Sequence, residues 1–160
     1  MKSEKVEKLP LSEAVTHLLE ECRMVLPGVQ ALFGFQLIAV FNQTFQEKLT
    51  SPERFLHLSA IVLVVVSIAM IMAPAAYHRQ RDPEAVTEGF IAIATRMLLY
   101  SMFPLMFAIG FECFLVTRMI TNRLSVSLGL AALLVCFCFM LWFVLPRSMK
   151  LERLLSNRSR

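Results

Sequence analysis

The stretch LPGVQALFGFQLIAVFNQTF, Leu26 to Phe45, is apolar enough to lie in a bilayer, yet it carries Pro27 and the four amides Gln30, Gln36, Asn42 and Gln43. About 20 such residues are what an α-helix needs to cross a hydrocarbon core roughly 30 Å thick. An amide without a partner in hydrocarbon costs several kcal/mol. A helix holding four of them must turn them toward other helices or toward water, so the segment predicts one member of a membrane bundle.

The remainder of the chain supplies the other members. Of 160 residues, 57% are hydrophobic, more than a single soluble core of this size can bury. Apolar runs extend over roughly Val25 to Phe45, Phe55 to Tyr77, Phe90 to Met119 and Leu124 to Leu145. The connections near Gln46 to Pro52 and Thr121 to Arg123 are too short to join anything but antiparallel neighbours. The expected fold is all-α: an integral membrane four-helix bundle of two helical hairpins, with long first and third helices that begin outside the apolar runs. Ser12 before Glu13, Ser51-Pro52-Glu53 and Asp82-Pro83-Glu84 provide helix starts. Residues 1–24 read as a cytoplasmic amphipathic helix leading into span one, 25–146 as the four-span domain and 147–160 as a basic cytoplasmic tail. The first 24 residues are charged and lack the apolar core of a cleavable signal. Sliding the chain by 76 positions lays Gly34-Phe35-Gln36 on Gly110-Phe111-Glu112 and Val40 on Val116, the pattern of a parallel repeat of two hairpins.

Polar residues within the spans are the candidate functional groups. At about 100° per residue, Gln36 and Gln43 share one stripe of helix one, while Gln30 falls near Arg23. Two readings stand side by side: interhelical hydrogen bonds that fix packing, or the lining of a wet pathway. Glu112, in FAIGFECFLV, has no charged residue within five positions on either side, and a carboxyl in such a run is by default a functional candidate. Ser101 shares its stripe, and Pro104 deprives the carbonyl of Tyr100 of its intrahelical donor. Glu112, Gln36, Gln43, Gln30 and Ser101 are therefore candidates for an ion or proton pathway; the opposing reading has Glu112 protonated, or paired with an amide near Gln36, as a packing contact.

Arg96 lies on nearly the opposite face of helix three from Glu112, so the two cannot pair. Glu20 or Glu21, at similar depth on helix one, is the expected partner for Arg96, with snorkelling of the long side chain to the headgroups as the alternative. Tyr77, His78, Arg79 and Arg81 end span two as interfacial anchors and as candidate contacts for lipid phosphate or another anion. His17 and His57 stand alone, and no His, Cys or carboxylate spacing resembles a metal site. Cys136 and Cys138 point to nearly opposite faces and read as packing residues. Neither a nucleophile with its base nor a phosphate-binding loop is present, so neither an enzyme nor a cofactor is expected. The net charge of +4 flanks spans, which argues for the bilayer, not nucleic acid, as the partner.

The stretches EECRMVLPGVQALFGFQL, Glu20 to Leu37, and APAAYHR, Ala73 to Arg79, resemble a bacterial four-span membrane protein family of unknown function whose members are often automatically labelled sodium:proton antiporter. The resemblance implies four spans, a place in the bacterial inner membrane and an acidic residue late in span three, where Glu112 stands. Four helices have little room for a pore, so the best functional expectation is an ion or proton pathway formed by a homo-oligomer. The rival is a structural or accessory membrane subunit, or a lipid-interacting protein, without transport activity.

Orientation follows from charge. With four alternating spans, Lys2, Lys5, Lys8, Arg23, Arg79, Arg81, Arg147, Lys150, Arg153, Arg158 and Arg160 fall on one side, against Lys48, Arg54, Arg118 and Arg123 on the other. By the positive-inside rule both termini are cytoplasmic. Reporter fusions at Met1 and Arg160 are expected to read as cytoplasmic at both ends; a periplasmic reading at both would reverse the topology.

Overall fold

The computed structural model describes residues 10–81 and 87–148, with Gln46 and Arg81 described through their backbone alone. Its helices are α1 (Leu11–Val40), α2 (Gln43–Lys48), α3 (Ser51–Arg81), α4 (Glu88–Thr121) and α5 (Leu124–Phe139). The last runs on through a π-helical stretch, Met140–Val144, to residue 148. No strand occurs among the described residues. Among the described residues four helices are long and apolar enough to cross a membrane, and the chain is a multi-pass membrane protein with an all-α bundle architecture.

The ends of these helices follow from local chemistry, not always where expected. Pro10 precedes α1, whose first turn has no side-chain cap; Ser12 lies inside it, its carbonyl accepting from Thr16 Oγ1. At the start of α3 the Glu53 carboxylate accepts from both the backbone N–H and the hydroxyl of Thr50, at 2.8 and 2.7 Å. Glu53 thus reaches back to the cap position as in a capping box. Thr87 caps α4 by accepting from the Phe90 N–H, whereas the Asp82-Pro83-Glu84 start lies outside the described residues. Asn122 ends α4 in the left-handed region, φ 51°, its N–H bonded to the Arg118 carbonyl. Asn tolerates that conformation better than most residues, because its short amide can bond locally.

Span one is shorter than its hydropathy suggests. α1 stops at Val40, and the Asn42 side chain accepts from the Thr44 N–H to begin α2. Asn42 and Gln43 thus leave the membrane helix altogether: Asn prefers caps to helix interiors because its side chain competes for backbone donors. The stripe that would have joined Gln36 to Gln43 is broken between them.

α3 and α4 form the central pair. Ala60, Val64, Ser67 and Ile71 are fully buried on α3, and Ala94, Ser101, Ala108 and Leu115 recur at seven-residue intervals on α4. A seven-residue repeat of small residues lets two membrane helices approach closely along a left-handed crossing. α1 lies against both members of the pair and α5 against α4, while α1 and α5 share no comparable interface. The packing is therefore not that of two equivalent hairpins about an axis. α5 is anchored at its far end by Phe143, stacked on Phe103 at 4.1 Å between ring centroids.

Close approach of α4 and α5 depends on Gly110. A methyl group added there would sit 2.5 Å from Val135 Cγ2, and a β-branched side chain on a helix has little freedom to rotate away. Gly110→Ala is expected to destabilise the bundle by about 1–3 kcal/mol, the usual cost of overpacking, whereas Gly34→Ala, in open space, should be neutral. Unfolding of each variant in mixed micelles measures the difference.

Candidate functional site

Three polar side chains from three helices meet near the end of the bundle where α1 ends and α3 begins. Gln36 lies four residues before the end of α1, His57 six after the start of α3 and Glu112 nine before the end of α4. At 1.5 Å per residue all three sit within about 6–14 Å of those ends. The antiparallel path of the chain therefore brings them to one depth.

Gln36 Nε2 donates to Glu112 Oε1 at 2.9 Å. Residues aligned by the 76-residue offset thus bond to each other, and the pairing of Glu112 with an amide near Gln36 is what the geometry holds. His57, read from sequence as standing alone, completes the group. Its Nδ1 lies 2.9 Å from the same Glu112 Oε1, its Nε2 3.1 Å from the Gln36 backbone carbonyl, and its ring edge packs against Phe45 of α2 at 4.6 Å. The imidazole is buried, while the Glu112 side chain keeps 19% of its surface exposed.

Proton bookkeeping follows from these contacts. A backbone carbonyl only accepts, so His57 Nε2 carries a hydrogen. Nδ1 and Glu112 Oε1 then need one further proton between them: without it a nitrogen lone pair and a carboxylate oxygen would face each other at 2.9 Å, away from bulk water. Carboxylate with imidazolium and carboxylic acid with neutral imidazole satisfy the count equally. Nδ1 and Gln36 Oε1 are the two buried side-chain atoms, among the described residues, without an aligned hydrogen bond.

Toward the near end of the bundle a second polar pair follows. Arg118 Nε lies 3.4 Å from Glu53 Oε1, and both line a pocket of about 470 Å³ with Lys48, Thr50 and Asn122. Toward the far end the polar contacts stop. Ala60 and Val64 on α3 and Ala108 on α4 are completely buried and separate His57 and Glu112 from the next polar contact, Ser67 Oγ donating to the Ser101 carbonyl at 2.9 Å. Ser101, about 16 Å from Glu112 along α4, turns its own hydroxyl onto the Leu98 carbonyl. The sequence expected a free carbonyl at Tyr100; the helix–helix hydrogen bond is made one residue later.

The remaining candidates lie elsewhere. Gln30 is exposed on α1, and Gln43 is exposed on α2. Arg96 is exposed and forms no ion pair with Glu20 or Glu21 among the described residues. The buried face of α1 in this region is Val15, Leu18 and Cys22, which leaves both acids outward, and Glu20 faces His17 at 3.6 Å. Tyr77 and His78 flank Phe90, with centroid separations of 5.8 and 5.5 Å, and Arg79 stands beside them at the membrane boundary; the Arg81 side chain lies outside the described residues. No three His, Cys, Asp or Glu among the described residues gather as a metal site.

His57 and the Glu53–Arg118 pair are what sequence reasoning missed. Counting residues inward from each predicted loop, rather than along each helix separately, puts His57 at the level of Gln36 and Glu112. The family profile described as a family of unknown function, DUF6328, matches residues 7–146, which covers the whole bundle. The chain belongs to the DUF6328 family. No curated protein and no solved structure matches it, so for this family member the site rests on its own geometry.

Removing the amide that serves Glu112 tests whether the three groups act together. Gln36→Leu is expected to cost about 0.6–2 kcal/mol, the range for an interhelical hydrogen bond in a membrane, and Gln43→Leu, on an exposed face, close to nothing. Stabilities of both variants in mixed micelles provide the check.

Proposed function

We propose that this protein handles protons in the bacterial cytoplasmic membrane, forming an ion or proton pathway as a homo-oligomer with both termini in the cytoplasm. The observation that carries this reading is the Glu112–His57 contact at 2.9 Å, braced by Gln36. Glu112 is the group that exchanges the proton, because its side chain is the more exposed of the two. His57 shares the proton and is oriented by the Gln36 carbonyl; the Gln36 amide holds the carboxylate oxygen toward the ring. Loss of the shared proton sets Oε1 against Nδ1 in a medium where unscreened repulsion is strong. Release is therefore coupled to a separation of α1 or α4 from α3. Glu53 and Arg118, one to two turns nearer the helix ends, are the charged groups through which protons would approach from the non-cytoplasmic side.

Oligomer formation is part of the proposal. Within one chain the apolar layer of Ala60, Val64 and Ala108 interrupts any polar file, so a complete path needs surfaces from neighbouring copies. Gln30, an exposed amide within span one, is a group such a copy would satisfy. The same apolar layer supports the rival reading, in which the three polar groups fix helix packing in an accessory subunit that conducts nothing. Neither reading calls for enzymatic chemistry or a nucleic-acid partner.

Reconstitution into liposomes with a pH-sensitive dye, under proton and alkali-cation gradients, separates the two. Wild type is expected to carry a pH-dependent flux. Glu112→Gln should retain the fold, since an amide is nearly isosteric with the acid and can still donate to Nδ1, but should lose the flux. Wild-type liposomes that carry nothing, or a Glu112→Gln variant as active as wild type, would establish the accessory reading instead.

A further inference from the structure

At the opposite end of the bundle, a cavity of about 700 Å³ opens between α1 and α3. That volume is in the range of small-molecule sites. Its walls are apolar: Leu19 and Leu26 from α1 face Ile71, Met72 and Ala75 from α3. Arg23 from one helix and His78 and Arg79 from the other form its mouth, and no acidic residue lines it among the described residues.

The sequence explains why the two helices part here. α3 carries Ala73-Pro74-Ala75-Ala76, where small side chains leave space and Pro74 removes a hydrogen bond to the preceding turn. The apolar run of α1 begins just after Arg23 and that of α3 ends just before His78. The mouth therefore lies near the boundary of the hydrocarbon, with Leu26, Ile71 and Met72 on its inner side. The two sequence stretches that stood out for their Arg and His-Arg elements converge on this one cavity.

We propose that this groove binds an anionic phospholipid, one acyl chain lying between α1 and α3 and the headgroup phosphate held by Arg23 and Arg79. A groove open at bilayer level cannot stay empty, because its walls would forfeit their contacts, and water gains nothing among Leu, Ile and Met side chains. An acyl chain fills it. Cations placed on both helices at headgroup level favour an anionic lipid over a zwitterionic one, and the guanidinium fork suits phosphate. His78, held against Phe90 at 5.5 Å, gives the mouth a third donor with a fixed position. The lipid acts as a wedge that joins α1 to α3 across the groove. This site stands at the other end of the bundle from Glu112 and does not depend on proton handling.

Native mass spectrometry of the full-length protein in detergent, titrated with dioleoyl phosphatidylglycerol or dioleoyl phosphatidylcholine, reads the preference directly. The anionic lipid is expected to bind at least about tenfold more tightly, and the Arg23→Gln/Arg79→Gln double variant to lose that preference, in line with the attraction of two basic residues to anionic headgroups. Ala75→Leu, which fills the groove and leaves the charges in place, should weaken binding of both lipids, while Arg118→Gln at the other end should change nothing. Millimolar inorganic phosphate should not displace the lipid. Equal affinity for the two lipids, an unchanged preference in the double variant, undiminished binding to Ala75→Leu, or displacement by phosphate alone would each overturn the proposal.

Discussion

In a medium that solvates no unpaired polar group, the carboxyl of Glu112 needs hydrogen-bond partners from other helices, and the place of α1 in the bundle depends on that requirement. Gln36 reaches it from α1 at 2.9 Å and His57 from α3 at 2.9 Å. α1 otherwise offers α3 and α4 a line of apolar contacts from Val15 through Val29, with Leu32 and Phe33 packed partly buried beside it. The polar contact adds a fixed point for the rotation and depth of a helix held otherwise by apolar packing. Interhelical hydrogen bonds are individually modest, but a carboxyl stripped of its donors incurs the larger cost of an unsatisfied buried group.

The central pair obeys a different constraint. Ala94, Ser101, Ala108 and Leu115 on α4 meet a face of α3 built from Ala60, Val64, Ser67 and Ile71, and close packing along this face is joined by the Ser67 hydroxyl on the Ser101 carbonyl and by the His57–Glu112 contact. Specificity in this molecule is divided accordingly. Apolar packing and hydrogen bonds together hold α3 to α4, the Gln36 side chain ties α1 to Glu112, and Gly110 against Val135 determines how closely α5 follows.

The four apolar helices were legible from hydropathy, because the bilayer imposes one structure on any apolar run of sufficient length, and the pairing of Glu112 with an amide near Gln36 was among the readings of its isolated carboxyl. The end of α1 was not: Asn42 and Gln43 read as span residues by composition, and only the capping bond from Thr44 to Asn42 Oδ1 turns the chain there. His57 was read as isolated, since its partners lie 21 and 55 positions away in the chain (57 − 36; 112 − 57). No periodicity within one helix reports a contact that depends on depth across three. The expected meeting of Arg96 with Glu20 or Glu21 assumed that equal depth implies facing sides, and the outward-facing acids of α1 show that rotation must be known as well.

The π-helical stretch Met140–Val144 bears on where the chain's basic end emerges. A wider turn accommodates one more residue than an α-turn does, so everything beyond it is swung by about 100° relative to an uninterrupted helix. Residues 145–148 therefore leave the bilayer on a bearing that α5 alone would not give. The swing lets Phe143 tuck under Phe103 while Arg147 remains outside. Rewinding this stretch into an ordinary helix at unchanged length would turn Arg147 by the same angle about the axis, whereas losing one residue with the rewinding would leave its bearing as it is.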